Sequence, residues 1–270
     1  MALKDITLGQ YFPGSSPVHK LDPRTKLIAV LLYIVALFLA KWFVTYAIMF
    51  VVLAAAVAIS QVPLKSLVSG MKPVVFILVF TGILNLFYTP GEHVLAQFWI
   101  FTITMEGVFQ AIFMVVRILM LIAGTFLLTY TTSPIMLTDG LESLLGPLKV
   151  IKVPVHELAM MMSIALRFIP TLIEETDKIM SAQRARGADF ESGNLFQRAK
   201  ALLPLLVPLF ISAFRRADEL ATAMECRCYH GGKGRTRLRQ LKFEARDYLT
   251  LVGSAVLVAV VILLRRTTLF

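Results

Sequence analysis

Two arginines stand out by their neighbours. Ala185-Arg186-Gly187 and Cys226-Arg227-Cys228 each set one arginine between small residues, close to the end of a helical run. A guanidinium is planar, always charged, and carries a fork of donors that matches a carboxylate. Small flanks would let a rigid helix tip carry that group into a groove. An arginine in a last turn also complements the helix dipole and caps carbonyls, so residue physics alone leaves both readings open. Other chemistry is weaker. Cys226, Cys228 and His230 form C-x-C-x-H, which lacks the second ligand pair of a zinc site. Gly231-Gly232-Lys233-Gly234 misses the G-x-x-x-x-G-K-[ST] spacing of a phosphate loop and follows no strand, so the chain is not expected to hold ATP itself. His19, His93, His156 and His230 are scattered, and none falls in a clear apolar span, which argues against a membrane enzyme.

The arginines are carried by two long helical runs. One starts at Pro154, is kinked by Pro170, becomes charged at Glu174, Glu175, Asp177 and Lys178, and stops at Gly187. The other starts near Leu195, is bent at Pro204 and Pro208, continues through Arg215, Arg216, Asp218 and Glu219 to Tyr229, and stops at Gly231 and Gly232. Both follow one plan: an apolar, proline-bent first half, a charged second half, then small residues around an arginine. At an offset of 41 residues, Asp177, Ala182 and Arg186 match Asp218, Ala223 and Arg227, which places the arginines at matching helix ends.

These runs lie in a chain that is not an ordinary soluble domain. Of its 270 residues 57% are hydrophobic and 16% charged, with mean hydropathy +0.76 and net charge +10; soluble domains carry about 25% charged residues. The surplus apolar surface must face lipid. Residues 1–26 hold no apolar signal core and read as a turn-rich arm. Leu27 to Ser60 is nearly all apolar; as one helix it would be about 50 Å long, against a hydrocarbon core of about 30 Å. It reads as a hairpin of two short helices turning at Lys41 and Trp42. Pro63, Lys65, Gly70, Lys72 and Pro73 read as a loop, Val74 to Tyr88 as a third span, and Val94 to Met105 as a segment that stays at the far interface or re-enters partway. Val108 to Tyr130 is the clearest span and carries Arg117, a costly intramembrane cation expected to be paired within the bundle. Tyr248 to Leu264 makes one more.

Residues 133–247 differ in texture, holding 17 of the 27 Lys and Arg and 13 of the 17 Asp and Glu, so they are not a set of lipid-facing helices. Cations flank the first span and the second loop and fill this block, whereas Thr89 to Gly107 has no Lys or Arg. The N-terminus and 133–247 are therefore predicted cytoplasmic. Arg265 and Arg266 then fall outside, against the rule. The basic run from Arg227 to Arg246 reads as an anchor near anionic headgroups, not a nucleic-acid site, because no aromatic interleaving accompanies it. The reading is an all-α polytopic membrane protein of about five transmembrane helices plus a cytoplasmic coupling domain of long kinked helices. Its parts are the arm 1–26, a membrane domain 27–132, the coupling domain 133–247, a last helix 248–264 and a tail 265–270.

Five short motifs in order carry a family likeness: Gly9-Gln10-Tyr11 and Ser16-Pro17 followed by Leu21-Asp22-Pro23-Arg24-Thr25-Lys26; Leu128 to Pro134; Ala165 to Pro170; Ala182 to Gly187; and Arg216 to Leu220. Over essentially its whole length the chain resembles the transmembrane T component of the energy-coupling factor (ECF) transporters, the EcfT and CbiQ-type family. The resemblance implies a non-catalytic subunit of an ATP-driven importer in the cell membrane. Its partners would be two ATP-binding subunits and a membrane-embedded S component that captures a vitamin or a transition-metal ion. ATP and Mg would belong to those ATP-binding partners, with no cofactor on this chain. It further implies that Arg186 and Arg227 dock one ATPase each, flanked by Ala185, Gly187, Cys226 and Cys228. Here the second motif departs from the family's Ala-Arg-Gly. The arginine and small flanks are kept, but the glycine that would ease the turn is lost. The competing class, a self-sufficient secondary transporter, would require more intramembrane ionisable or broken positions than Arg117.

Overall fold

The computed structural model describes residues 11–88, 93–98, 101–190, 194–231 and 240–266. The elements are α1 (Pro23–Leu39), α2 (Phe43–Ser60), α3 (Leu64–Tyr88), β1 (Val94–Phe98), β2 (Phe101–Thr104), α4 (Met105–Thr131), α5 (Pro134–Leu144), a 3-10 segment (Gly146–Ile151), α6 (Val155–Ala185), α7 (Leu195–Cys226) and α8 (Ala245–Arg266). Among the described residues the architecture is all-helical apart from one antiparallel hairpin, β1–β2. That hairpin occupies the stretch expected at the far interface. Pairing its two short strands satisfies backbone groups that a segment too short to cross the bilayer would otherwise leave open.

The described residues fall into two compact units: 11–141 with 241–266, and 142–190 with 194–231 and 240. In the first, α1, α2, α4 and α8 share a core of Tyr33, Ala36, Leu37, Tyr46, Met49, Met120 and Val261. The predicted α1–α2 hairpin forms, with its turn at Ala40–Trp42 and the Lys41 ammonium 5.8 Å from the Trp42 ring centroid. The predicted loop over 63–73 does not form, because α3 already begins at Leu64 and runs through Pro73. Gly70, which reads as a breaker, is a close-packing site: a Cβ there would lie 2.8 Å from Phe126 and 2.9 Å from the Tyr130 hydroxyl. That hydroxyl donates to the Ser66 carbonyl, so packing on α4 holds the early turns of α3 in place.

Among the described residues five helices are long and apolar enough to cross a membrane: Phe43–Ser60, Leu64–Phe87, Met105–Thr131, Val155–Ala185 and Ala245–Arg266. The chain is a multi-pass membrane protein. α6 is the least apolar of the five, with a mean hydropathy of 1.3 where the others reach 2.0–2.5. It lies in the stretch expected to be cytoplasmic, and its charged second half, with Glu174, Glu175, Asp177, Lys178 and Arg184, sets it apart from the other four although its length would permit crossing. α1, at 17 residues, is about 25 Å long and lies at the short end of what spans a bilayer. Exposed Leu31, Phe38, Phe50, Val51, Phe76, Ile77 and Leu249 give the first unit an apolar outer surface fit for lipid contact.

Within this unit one end gathers the start of α1, the ends of α2 and α4, and the starts of α3 and α8. Lys26 donates to the Thr131 carbonyl and Thr132 Oγ1, the Phe12 N–H to the Tyr130 carbonyl, and the Asp22 N–H to Asp247 Oδ1. The chain leaves through α5 at this end, where a Cβ on Gly140 would meet Pro23 at 3.0 Å. It returns there too, with Phe243 under the Arg24 guanidinium, 4.1 Å from its ring centroid.

Candidate functional site: two arginine-tipped helices

In the second unit, α6 and α7 pack against each other. Pro154 sits just before the first turn of α6, at the N-cap, where the missing N–H costs nothing. Asn194 begins α7 through a capping box with Gln197, whose Oε1 accepts the Asn194 N–H at 3.1 Å. Each helix then carries its prolines in the first half, Pro170 in α6 and Pro204 and Pro208 in α7. The second halves, 175–185 and 216–226, contain neither proline nor glycine.

Both helices end by the same device. In α6 the Ala188 N–H reaches back to the Gln183 carbonyl and the Gly187 N–H to that of Arg184, each at 3.0 Å. In α7 the Tyr229 N–H reaches Met224 at 3.0 Å and the Cys228 N–H reaches Glu225 at 2.8 Å. These are the two bonds of a Schellman motif, and they match at the 41-residue offset. Arg186 and Arg227 are the C-cap residues, with φ −86° and −92°. The residue that follows each is left-handed, Gly187 at φ 87° and Cys228 at φ 56°. Cys-Arg-Cys therefore reproduces the turn of Ala-Arg-Gly without the glycine. The repeat extends into the shafts: Ser181 Oγ donates to the Asp177 carbonyl and Thr222 Oγ1 to that of Asp218, at 2.8 and 2.9 Å.

Ala185, Arg186, Gly187, Cys226, Arg227 and Cys228 are all exposed. Among the described residues neither Arg186 nor Arg227 has a side-chain hydrogen bond or ion pair. Each tip thus presents an unspent five-donor fork with low steric bulk on either side, suited to a carboxylate-bearing groove. The helices are tied to each other further back, where Arg216 donates to Glu175 Oε2 at 2.8 Å and Ser212 Oγ donates to Glu175 Oε1. Among the described residues no group of three metal-ligating side chains forms, Cys226, Cys228 and His230 included. Gly232 to Gly234 and much of the basic run, residues 232–239, lie outside the described residues.

In the first unit the N-terminal motif has a structural logic that its sequence did not disclose. Asp22 caps α1, its Oδ1 accepting the Arg24 N–H at 2.9 Å, while Arg24 pairs with Oδ2 at 2.9 Å. Asp247, 2% exposed, joins the N-termini of two helices by accepting the Asp22 N–H at 2.9 Å and the Glu244 N–H at 2.8 Å. Lys26, also buried, bonds Thr131, Thr132 and the His19 carbonyl. Sequence reasoning missed Asp247; the available signal was an acid in the first turn of the last helix, where a carboxylate can reach back to a free N–H. Arg117 does find a partner inside the bundle. Its Nε donates to the Tyr46 hydroxyl at 2.8 Å and its Nη2 to the Ala40 carbonyl at 3.2 Å, so it caps the C-terminus of α1 level with the α1–α2 turn.

His19 closes the arm. Its Nε2 lies 3.0 Å from the Phe12 carbonyl and its Nδ1 2.7 Å from Ser16 Oγ. A carbonyl only accepts, so the proton sits on Nε2 and Ser16 donates to Nδ1. Burial lowers the imidazole pKa below its usual 6.5; the bond to Phe12 opposes that and the Lys26 charge reinforces it.

The sequence pattern of the family described as cobalt transport protein (CbiQ) matches residues 14–238. A protein of Ruminiclostridium cellulolyticum named energy-coupling factor transporter transmembrane protein EcfT is 53% identical over 262 residues, covering 97% of this chain and 98% of its own. The protein of that name from Thermosediminibacter oceani is 55% identical, covering 94% and 96%. That from Bacillus subtilis is 50% identical, covering 97% and 99%.

Proposed function

We propose, from the premise that the chain belongs to the family of energy-coupling factor transporter transmembrane proteins, that it is the non-catalytic coupling subunit of an ATP-driven importer. Its relatives carry the name of a transporter's transmembrane component. The finer reading is that two ATP-binding subunits dock on Arg186 and Arg227, and that nucleotide-driven motion passes through α6 and α7 to an S component held against the membrane unit. That component would capture the vitamin or metal ion. The chain itself binds no cofactor in this reading; ATP and Mg reside on the partners.

One observation carries the proposal: two helices of one unit end in the same Schellman turn around an exposed, unpaired arginine. A single such cap is common; two built alike on different residues point to two like partners. The cell membrane is the proposed location, with the N-terminus and residues 133–247 cytoplasmic. In support, the chain leaves and re-enters the membrane unit at the end where α1 starts, beside Lys20, Arg24 and Lys26. Reconstitution tests this. Proteoliposomes holding the chain, both ATPases and an S component should take up substrate with ATP. Uptake by the chain alone would favour a self-sufficient transporter and overturn the proposal.

A further inference from the structure

Glu175 and Arg216, the pair that ties α6 to α7, are separated by 41 residues, the same offset that relates the two arginine tips. They are equivalent positions of the repeat. Equivalent positions of two like helices meet each other where a local two-fold axis passes between them. From that contact to its tip each helix has an equal arm, 175 to 186 and 216 to 227. At 1.5 Å per residue each arm is about 16 Å long. Neither contains proline or glycine, so each is a straight rod beyond the point of contact.

The contact is built as a fixed point. Glu175 uses both carboxylate oxygens, Oε1 for Ser212 and Oε2 for Arg216, and its side chain is 23% exposed. Both partners lie on α7 one turn apart, so the carboxylate grips two successive turns and fixes register as well as proximity. The apolar surface of these helices would not do this alone: Leu203, Val207, Phe210, Ile211 and Phe214 of α7 are exposed.

We propose that the Glu175–Ser212–Arg216 contact is a pin that sets the separation of the two tips, making Glu175 a positioning residue for coupling; this rests on the docking reading above. The crossing angles of packed helices vary by about 15–20° from one pair to another, so settings of that range are open to a pair released from its pin. A rod of about 16 Å swung through 20° moves its end by about 5 Å. Losing the pin should therefore leave each tip able to bind while spoiling the distance between them.

The experiment measures that distance in the full chain in nanodiscs, without ATPases. In a Cys228→Ser background, spin labels are placed on native Cys226 and on Ala185→Cys, its repeat equivalent. Pulsed dipolar EPR should give one narrow distance with the pin intact. Glu175→Gln should shift or broaden it by about 5 Å, and exchanging the charges, Glu175→Arg with Arg216→Glu, should restore it. If Glu175→Gln yields no folded protein, Ser212→Ala, which removes one bond, is read by the same criterion. A distribution unchanged by these variants, or a charge exchange as broad as Glu175→Gln, overturns the pin. ATPase co-purification on the same variants should be unchanged while ATP-driven uptake falls. Because the distance is read without ATPases, failure of the docking reading would leave this result standing, and failure of the pin would leave docking standing.

Discussion

Cys228 occupies a left-handed position that a glycine would fill at no steric cost, and its substitution gives the sharpest check on how the tips are built. A side chain in this region costs about 1–2 kcal/mol. Glycine removes that cost but leaves more freedom to the open chain, which returns about 0.4–1 kcal/mol. Cys228→Gly should then strengthen the turn by a net 0.5–1 kcal/mol or so, about two- to fivefold. At the other tip a Cβ on Gly187 would meet nothing within 4 Å. Gly187→Ala therefore carries only the backbone penalty and should weaken its turn by a similar factor. Hydrogen exchange reads both directly, because the amides of Tyr229 and Ala188 donate the long bond of each Schellman turn. In Cys228→Gly the Tyr229 amide should exchange about two- to fivefold more slowly, and in Gly187→Ala the Ala188 amide should exchange faster by a like factor. Cys228→Ala controls for the thiol and should behave as the parent. Exchange at Tyr229 that is unchanged or faster in Cys228→Gly, or that follows loss of the thiol instead, would refute the backbone argument.

Three further outcomes follow from the membrane unit and the arm. His19 has a folded pKa below its unfolded value near 6.5, so its contribution is full above about pH 6.5 and is lost as pH falls from there through the lower folded value. Thermal unfolding should show a downward step on acidification below pH 6.5 that His19→Gln abolishes; an equal step in both proteins would exclude His19. Asp247→Ala leaves the buried Asp22 amide and the part-buried Glu244 amide without their acceptor and Lys26 short of a countercharge, a loss of about 2–4 kcal/mol. Asp247→Asn should recover part of it, and a melting temperature equal to that of the parent would contradict the clamp. The Tyr33 hydroxyl is buried with no partner among the described residues, so Tyr33→Phe should raise stability by about 1 kcal/mol; a fall would show that the hydroxyl is satisfied.

Much of this was legible from the chain alone because hydrophobic length and breakers act locally. The hairpin over Leu27 to Ser60, the span carrying Arg117 and both long helices appear where their patterns put them. The errors arose where tertiary packing overrode a local signal. Gly70 and Pro73 read as a loop, yet α3 runs through them, because the glycine makes room for Tyr130 and Phe126 and the surrounding turns are held against α4. Cys228 gave no sign of a left-handed turn, since the conformation comes from the Schellman bonds around it. Asp247 and the Glu175–Arg216 pair were invisible for another reason: both join residues far apart in sequence, and only the fold reveals the partner. The 41-residue offset was readable, but three identities could not say that the equivalent positions touch.

The central claim is that two like partners are held by two arginines, and ATPase retention tests it most directly. The full chain, carrying Arg186→Glu, Arg227→Glu or both, is purified from membranes with its ATPase subunits, and their stoichiometry is measured. Each single variant should lose one ATPase's worth of binding, and the double variant should retain none while remaining inserted. Full retention in the double variant would contradict the account.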